Sequence, residues 1–358
     1  MNTILTFLES NWQRLDLARY GKPDRLSCVI VTPRFRASSH VVFLLLADGR
    51  PDPVLVAKVP RLANTSPSLQ REVANLRVIQ SARPGGFDSI PRVVAFEEYG
   101  HRPILIETAL VGRPMDRLAV RRNLTGSCDV VTRWLTEMRH PHQNGRAAST
   151  GWFEQLVEQP LNDFAHAFPL SGEETRLLES TWDLVAPLRD SGLPLVFEHG
   201  DLCHPNLLVL HRGGLGVIDW ELAEPRGLPT YDLFFFLTYA AFAQHHATDN
   251  RQYVSAYREA FFGPSAWARP YVRTYAERLQ LPPRVLTPLL ALCWVRYLIS
   301  LLTRLGEAGR SDRTVGVDTA AWLRTNRYYA LWRHTLAHLD ELEWEAAGGG
   351  RGRTAPDA

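Results

Sequence analysis

The chain has 358 residues, 45% hydrophobic and 22% charged, and its 40 basic and 38 acidic side chains leave a net charge of +2. That length exceeds what one hydrophobic core usually serves, so about two domains are expected. Near-balanced charge, with no basic stripe interleaved with aromatics, argues against a nucleic-acid partner.

Residues 1–17 include Glu9 and Asp16 and lack a continuous apolar core, so they do not read as a secretion signal. Residues 27–32 and 41–46 pattern as the two strands of a hairpin-like unit. The loop between them holds Arg34, Arg36, Ser38 and Ser39 but no glycine. Residues 54–59 form an apolar strand that ends in a cation, Lys58; Lys22 and Lys58 are the only lysines, so a compact point charge is expected to matter there. Over residues 68–79, Leu69, Val73, Leu76 and Ile79 recur at steps of three or four, predicting an amphipathic helix that carries Glu72. Residues 103–110 read as a further strand running into a connector.

The densest chemistry follows. Apolar runs at 194–197 and 207–210 predict short strands on either side of a polar loop, His199-Gly200-Asp201-Leu202-Cys203-His204-Pro205-Asn206. A third run, 215–218, ends at Asp219. Phosphoryl transfer needs a carboxylate to orient and accept the proton of the attacking hydroxyl, and oxygen ligands that hold Mg²⁺ against nucleotide phosphates. Asp201 suits the first task. Asn206 and Asp219 suit the second, because magnesium takes a few protein oxygens and completes its shell with water and phosphate. Asp232 opens an apolar helix at 233–237, where a carboxylate can cap free amides. The apolar stretch 289–302 is interrupted by Arg296 and reads as a buried helix rather than a membrane span. Residues 346–358, rich in glycine and charge, are expected to be a disordered tail. Cys28, Cys128, Cys203 and Cys293 match no zinc spacing, which points to reduced thiols and a cytoplasmic setting, with Cys203 a packing residue.

The order His-x-Asp-x-x-x-x-Asn followed by Ile-Asp-Trp-Glu resembles the aminoglycoside phosphotransferase and choline kinase family. Gly200 stands where protein kinases have Arg, and Trp220-Glu221 where they have Phe-Gly. The resemblance implies a two-lobed α+β protein-kinase-like fold. A small N-terminal antiparallel-sheet lobe over 1–107 would bind nucleotide, and a larger, mainly helical lobe over 108–345 would hold the catalytic and acceptor sites. It implies ATP and Mg²⁺ as cofactors, Asp201 as base, Asn206 and Asp219 on metal, and His199 bracing the loop. Lys58 would contact the phosphates with Glu72 as its partner, and Glu107, Thr108 and Ala109 would lie at the hinge that meets the adenine edge. Asp232 matches a recurring position read as support for the catalytic loop. The glycine-free loop departs from the protein-kinase pattern and leaves its phosphate contacts unassigned.

The acceptor side of such a fold is built largely from helices after Asp219. Residues 233–334 hold thirteen arginines against six acids, together with many aromatics. A polycationic acceptor would call for clustered carboxylates, so a neutral or anionic hydroxylated small molecule is expected. An antibiotic-inactivating phosphotransferase and a catalytically silent nucleotide-binding scaffold are the alternatives; oligomeric state is not legible.

Overall fold

The computed structural model describes residues 3–21, 26–31, 40–61, 67–82, 87–138, 151–311 and 319–344, without the side chains of 306–311 and 319. The loop carrying Arg34, Arg36, Ser38 and Ser39, and the tail at 346–358, lie outside the described residues.

The N-terminal part comprises α1 (Thr3–Asn11), β1 (Leu26–Val31), β2 (His40–Ala47), β3 (Pro53–Pro60), α2 (Pro67–Ala82), β4 (Val93–Tyr99) and β5 (Arg102–Thr108). The five strands form one antiparallel sheet in the order β1-β2-β3-β5-β4. Strand alternation sorts its two faces. Leu55, Ala57, Ile104 and Ile106 turn to one side and pack with Ile4, Phe7 and Leu8 of α1, an element the sequence pattern left unassigned. Leu105 turns the other way, onto Leu69 and Val73 of α2.

The register fixes a functional consequence. Val42 stands opposite Lys58 and Val56 opposite Glu107. Residues two apart share a face, so His40, Lys58 and Glu107 all lie on the α2 side of the sheet.

The second part contains β6 (Gly112–Pro114), α3 (Arg117–Arg122), α4 (Leu124–Glu137), α5 (Gln159–Ala167), α6 (Gly172–Val185), β7 (Val196–Glu198), β8 (Leu207–Leu210), β9 (Leu215–Val217), β10 (Glu224–Gly227), α7 (Tyr231–Gln244), α8 (Asn250–Phe261), α9 (Arg269–Leu279), α10 (Leu286–Ser311), α11 (Thr319–Thr325) and α12 (Arg327–Ala337). The fold is two-lobed α+β, as expected. Every residue of α7 from Tyr231 to Ala243 is buried, which is why its sequence is apolar all round rather than striped. Trp294 of α10 and Trp332 of α12 are completely buried in the same core.

α10 extends past the apolar stretch expected at 289–302. The stretch Pro283–Leu305, which runs from the turn before α10 into that helix, contains an 18-residue window of mean hydropathy 1.9 and is long and apolar enough by composition to cross a bilayer, yet 72% of that window is buried inside the fold. Its apolarity serves the core of the helical lobe.

Candidate active site

The loop that carries Asp201 and Asn206 runs from the end of β7 to the start of β8, and Asp219 follows two residues past the end of β9. These short strands hold the three side chains on fixed edges. The Asp201 carboxylate accepts a hydrogen bond from the Tyr297 hydroxyl at 3.0 Å and one from Asn206 Nδ2 at 3.4 Å, while Cys203 Sγ lies 3.7 Å away. Asn206 Nδ2 also donates to the Asp201 carbonyl at 2.9 Å. That commits the amide nitrogen and leaves the amide oxygen as the atom available to a cation.

His199 is fully buried and connects this loop to the next strand. Its Nε2 lies 3.0 Å from the Ile218 carbonyl, and its Nδ1 accepts from the Asp201 backbone N–H at 3.3 Å. Its ring meets Trp220 edge-on at 4.8 Å. Burial lowers the pKa of this imidazole despite nearby Asp201, so it stays neutral and keeps one donor and one acceptor nitrogen. Asp232, at the start of α7, accepts the backbone N–H groups of His199 at 2.6 Å and Gly200 at 2.9 Å. Its carboxylate therefore caps the catalytic loop rather than its own helix.

Gly200 has φ of +83°, and a Cβ there would meet the Leu222 carbonyl oxygen at 2.4 Å. Any other L-residue at this position meets left-handed strain and a backbone clash together. Gly200→Ala is expected to cost about 2 kcal/mol or more of stability, read as a lowered Tm in a thermal melt; an unchanged Tm would show the loop free to move away.

Asp219 itself sits at φ +70°, in the sparsely populated left-handed region. Its Oδ1 is buried with no hydrogen-bond partner. The backbone joins this residue to Asn206, because the Ile218 N–H donates to the Asn206 carbonyl at 3.0 Å; an unsatisfied carboxylate oxygen and an amide oxygen are hard donors of the kind that fits Mg²⁺.

Lys58 is buried, with Nζ 2.5 Å from Glu72 Oε1 and 3.3 Å from Glu107 Oε1. Burial alone would lower its pKa, but Glu107, Glu72 and Asp219 together raise it, so it is fully charged. Glu72 Oε1 also accepts the Trp220 backbone N–H at 3.1 Å, and Asn75 Nδ2 donates to the carbonyls of Trp220 and Ala223. One face of α2 is thus tied to both β3 and the segment after Asp219. Glu107 is pushed up to about 7, because burial outweighs the attraction of Lys58. Glu221 is likewise pushed up to about 8 by burial and by Asp219, with Arg304 4.0 Å away.

The residues the sequence offered as candidates, Lys58, Glu72, His199, Asp201, Asn206, Asp219 and Asp232, are joined by the fold in one network of contacts. Glu107 joins them through its carboxylate, whereas only its hinge position was expected. The N–H groups of Thr108 and Ala109 donate to Arg92 O at 2.9 Å and to Val54 O at 3.5 Å. Two partners went unread. Tyr297 comes from α10, and its contact with Asp201 is a long-range one. His40, 5% exposed, offers a nitrogen that lies with carboxylate oxygens of Glu72 and Asp219 within 4.8 Å of one another; only the β2–β3 register reveals that it faces inward.

The two-lobed fold carries a buried Lys58–Glu72 pair on its N-terminal sheet side and the Asp201, Asn206 and Asp219 side chains in the loops after β7 and β9. The chain belongs to the phosphotransferase enzyme family, whose model matches residues 32–271. Among solved structures, a Plasmodium vivax ethanolamine kinase superposes with TM-score 0.53 at 10% identity, covering 89% of this chain and 84% of that one. The choline kinase LicA from Streptococcus pneumoniae gives 0.51 at 13% identity, covering 92% and 97%. At these identities the likeness carries the fold alone. No curated protein matches by sequence.

Proposed function

We propose that this protein transfers the γ-phosphoryl group of ATP, with Mg²⁺, to a hydroxyl of a neutral or anionic small molecule. The observation that carries the proposal is a chain of contacts: Asn206 bonds Asp201, the Ile218 N–H next to Asp219 bonds the Asn206 carbonyl, and Asp219 interacts with the buried Lys58–Glu72 pair.

In this reading Lys58 binds the nucleotide phosphates, oriented by Glu72 and Glu107, and residues 107–109 meet the adenine edge. The 3.5 Å bond from Ala109 N–H is long enough to be exchanged for such a contact. Asp201 orients the acceptor hydroxyl and takes its proton, with the Tyr297 hydroxyl fixing which oxygen faces the acceptor. Asn206 and Asp219 would hold the Mg²⁺, which supplies neutralisation of the phosphate charge when bound. The thiols of Cys128, Cys203 and Cys293 are buried, which suits a reducing, cytoplasmic setting.

The test is ADP release by the purified protein across aminoglycosides, choline, sugars, nucleosides and hydroxy acids, with Asp219→Ala in parallel. Acceptor-stimulated, Mg²⁺-dependent release that disappears in the variant is the expected result. Demonstrated ATP binding without stimulation by any acceptor would favour a silent scaffold.

A further inference from the structure

The excess of arginine in the helical lobe resolves, residue by residue, into cations that are already neutralised and cations that are not. Arg258, Arg269, Arg296, Arg304, Arg324 and Arg333 each face an acid: Glu341, Glu343, Glu198, Glu221, Glu174 and Glu173 respectively. Arg327, the first residue of α12, differs. Its guanidinium carbon lies 4.9 Å over the Tyr328 ring, 5.0 Å over Tyr253 and 6.0 Å over Phe242. Arg117, the first residue of α3, lies 5.7 Å over the Tyr239 ring, with Nε 3.5 Å from that hydroxyl. Tyr253 interacts with both guanidiniums. Among the described residues their partners are tyrosine hydroxyls and aromatic faces, and no ion pair neutralises either.

Both arginines adjoin the catalytic loop. The Tyr239 hydroxyl contacts His204 Nδ1 at 3.2 Å, three residues past Asp201. On the other flank the Tyr328 ring is 4.7 Å from that of Tyr297, which bonds Asp201. The frame is buried: Tyr239, Tyr253, Tyr297 and Tyr328 are each less than a tenth exposed. Arg117, Arg327, His204 and Asp201, which adjoin it, are only half-buried. Two guanidiniums around one tyrosine repel each other unless an anion joins them, and their planar forks match the oxygens of a carboxylate or phosphate.

We infer that Arg117 and Arg327 bind an anionic group, carboxylate or phosphate, of the acceptor while its hydroxyl lies at Asp201. The inference rests on the phosphotransferase reading and deepens it, from any small hydroxylated molecule to a hydroxy acid or a phosphorylated alcohol. Cationic acceptors are rejected by the same charges.

The test pairs anionic acceptors with their neutral parents: glycerate and glycerol phosphate against glycerol, gluconate and glucose phosphate against glucose, nucleoside monophosphates against nucleosides, with choline as a cationic control. In ADP release with the full chain, an anionic member is expected to exceed its parent. Arg327→Gln and Arg117→Gln should each raise its KM by about ten- to a hundredfold, with KM for ATP unchanged, and Arg327→Lys should recover part of the loss because charge remains without the fork. The carboxylate and phosphate arms identify which anion is read. Neutral or cationic acceptors preferred over anionic ones, or an unchanged KM in both folded glutamine variants, would overturn the inference. Calorimetric binding of the same compounds separates it from the kinase reading. Anion binding lost in Arg327→Gln, even without turnover, supports the site; no binding by any anionic member overturns it.

Discussion

Asp201→Asn is expected to slow phosphoryl transfer by about a thousandfold, within the usual range for loss of a positioned general base, while leaving ADP affinity unchanged. The amide preserves size and one acceptor oxygen, so the Tyr297 hydroxyl keeps its partner. What it removes is the charge that draws the acceptor proton, and it sets an N–H₂ group against Asn206 Nδ2, 3.4 Å from the oxygen it replaces. Tyr297→Phe separates these contributions: the carboxylate stays, and only the hydroxyl that fixes its orientation is lost, so its smaller decrease should lie mainly in kcat. Nucleotide binding is read from the thermal shift produced by ADP, and transfer from ADP release with the best acceptor. Unchanged turnover in Asp201→Asn would remove this residue from the catalytic role.

Lys58→Ala should be the most destabilising single change among the site residues. Lys58 is 4% exposed and holds Glu72 and Glu107 directly, with Asp219 also close enough to interact. Removing one partner of a buried ion pair costs about 3–5 kcal/mol because the remaining charge is left uncompensated. Here several carboxylates would face one another with no cation between them. Nucleotide binding should be lost with the stability.

The same cluster sets a pH dependence. Glu107 is raised from its usual 4.5 to about 7 by burial, so the folded state retains a proton that the unfolded chain releases near 4.5. Its contribution to stability is therefore present below 4.5 and lost as pH rises to about 7. In Lys58→Ala that decline should steepen, since the opposing attraction of the ammonium is gone. Thermal melts of the two proteins between pH 5 and 8 measure the difference; a variant as stable as the parent at pH 8 would show that the acids are not held together by Lys58.

How much of this was legible in the chain depends on whether a signal was local. The loop from His199 to Asn206 and the acid at 219 lie within twenty-odd residues, so spacing alone carried their chemistry. Lys58 was conspicuous because the chain uses arginine nearly everywhere else. Glu72 sat on a helix whose apolar stripe was plain, although its burial follows only from α2 packing against β3. The carboxylate of Glu107 was hidden because a charge at the end of an apolar strand reads as an exposed terminus until the β3–β5 register turns it toward Lys58. Tyr297 and Asp201 are separated by 96 positions, and no periodicity within α10 marks one tyrosine among several as the one that reaches the loop. Arginines posed the opposite difficulty. Composition reported the excess but not which of them already faced an acid.

The most direct measurement follows the phosphoryl group itself. The protein is incubated with ATP carrying an isotopic label in the γ-phosphoryl group and with a mixture of small-molecule metabolites, and the labelled products are separated by mass. The account predicts label in a phosphate ester of a small hydroxylated molecule, absent when Asp201→Asn replaces the parent. Label confined to inorganic phosphate or to protein would contradict it.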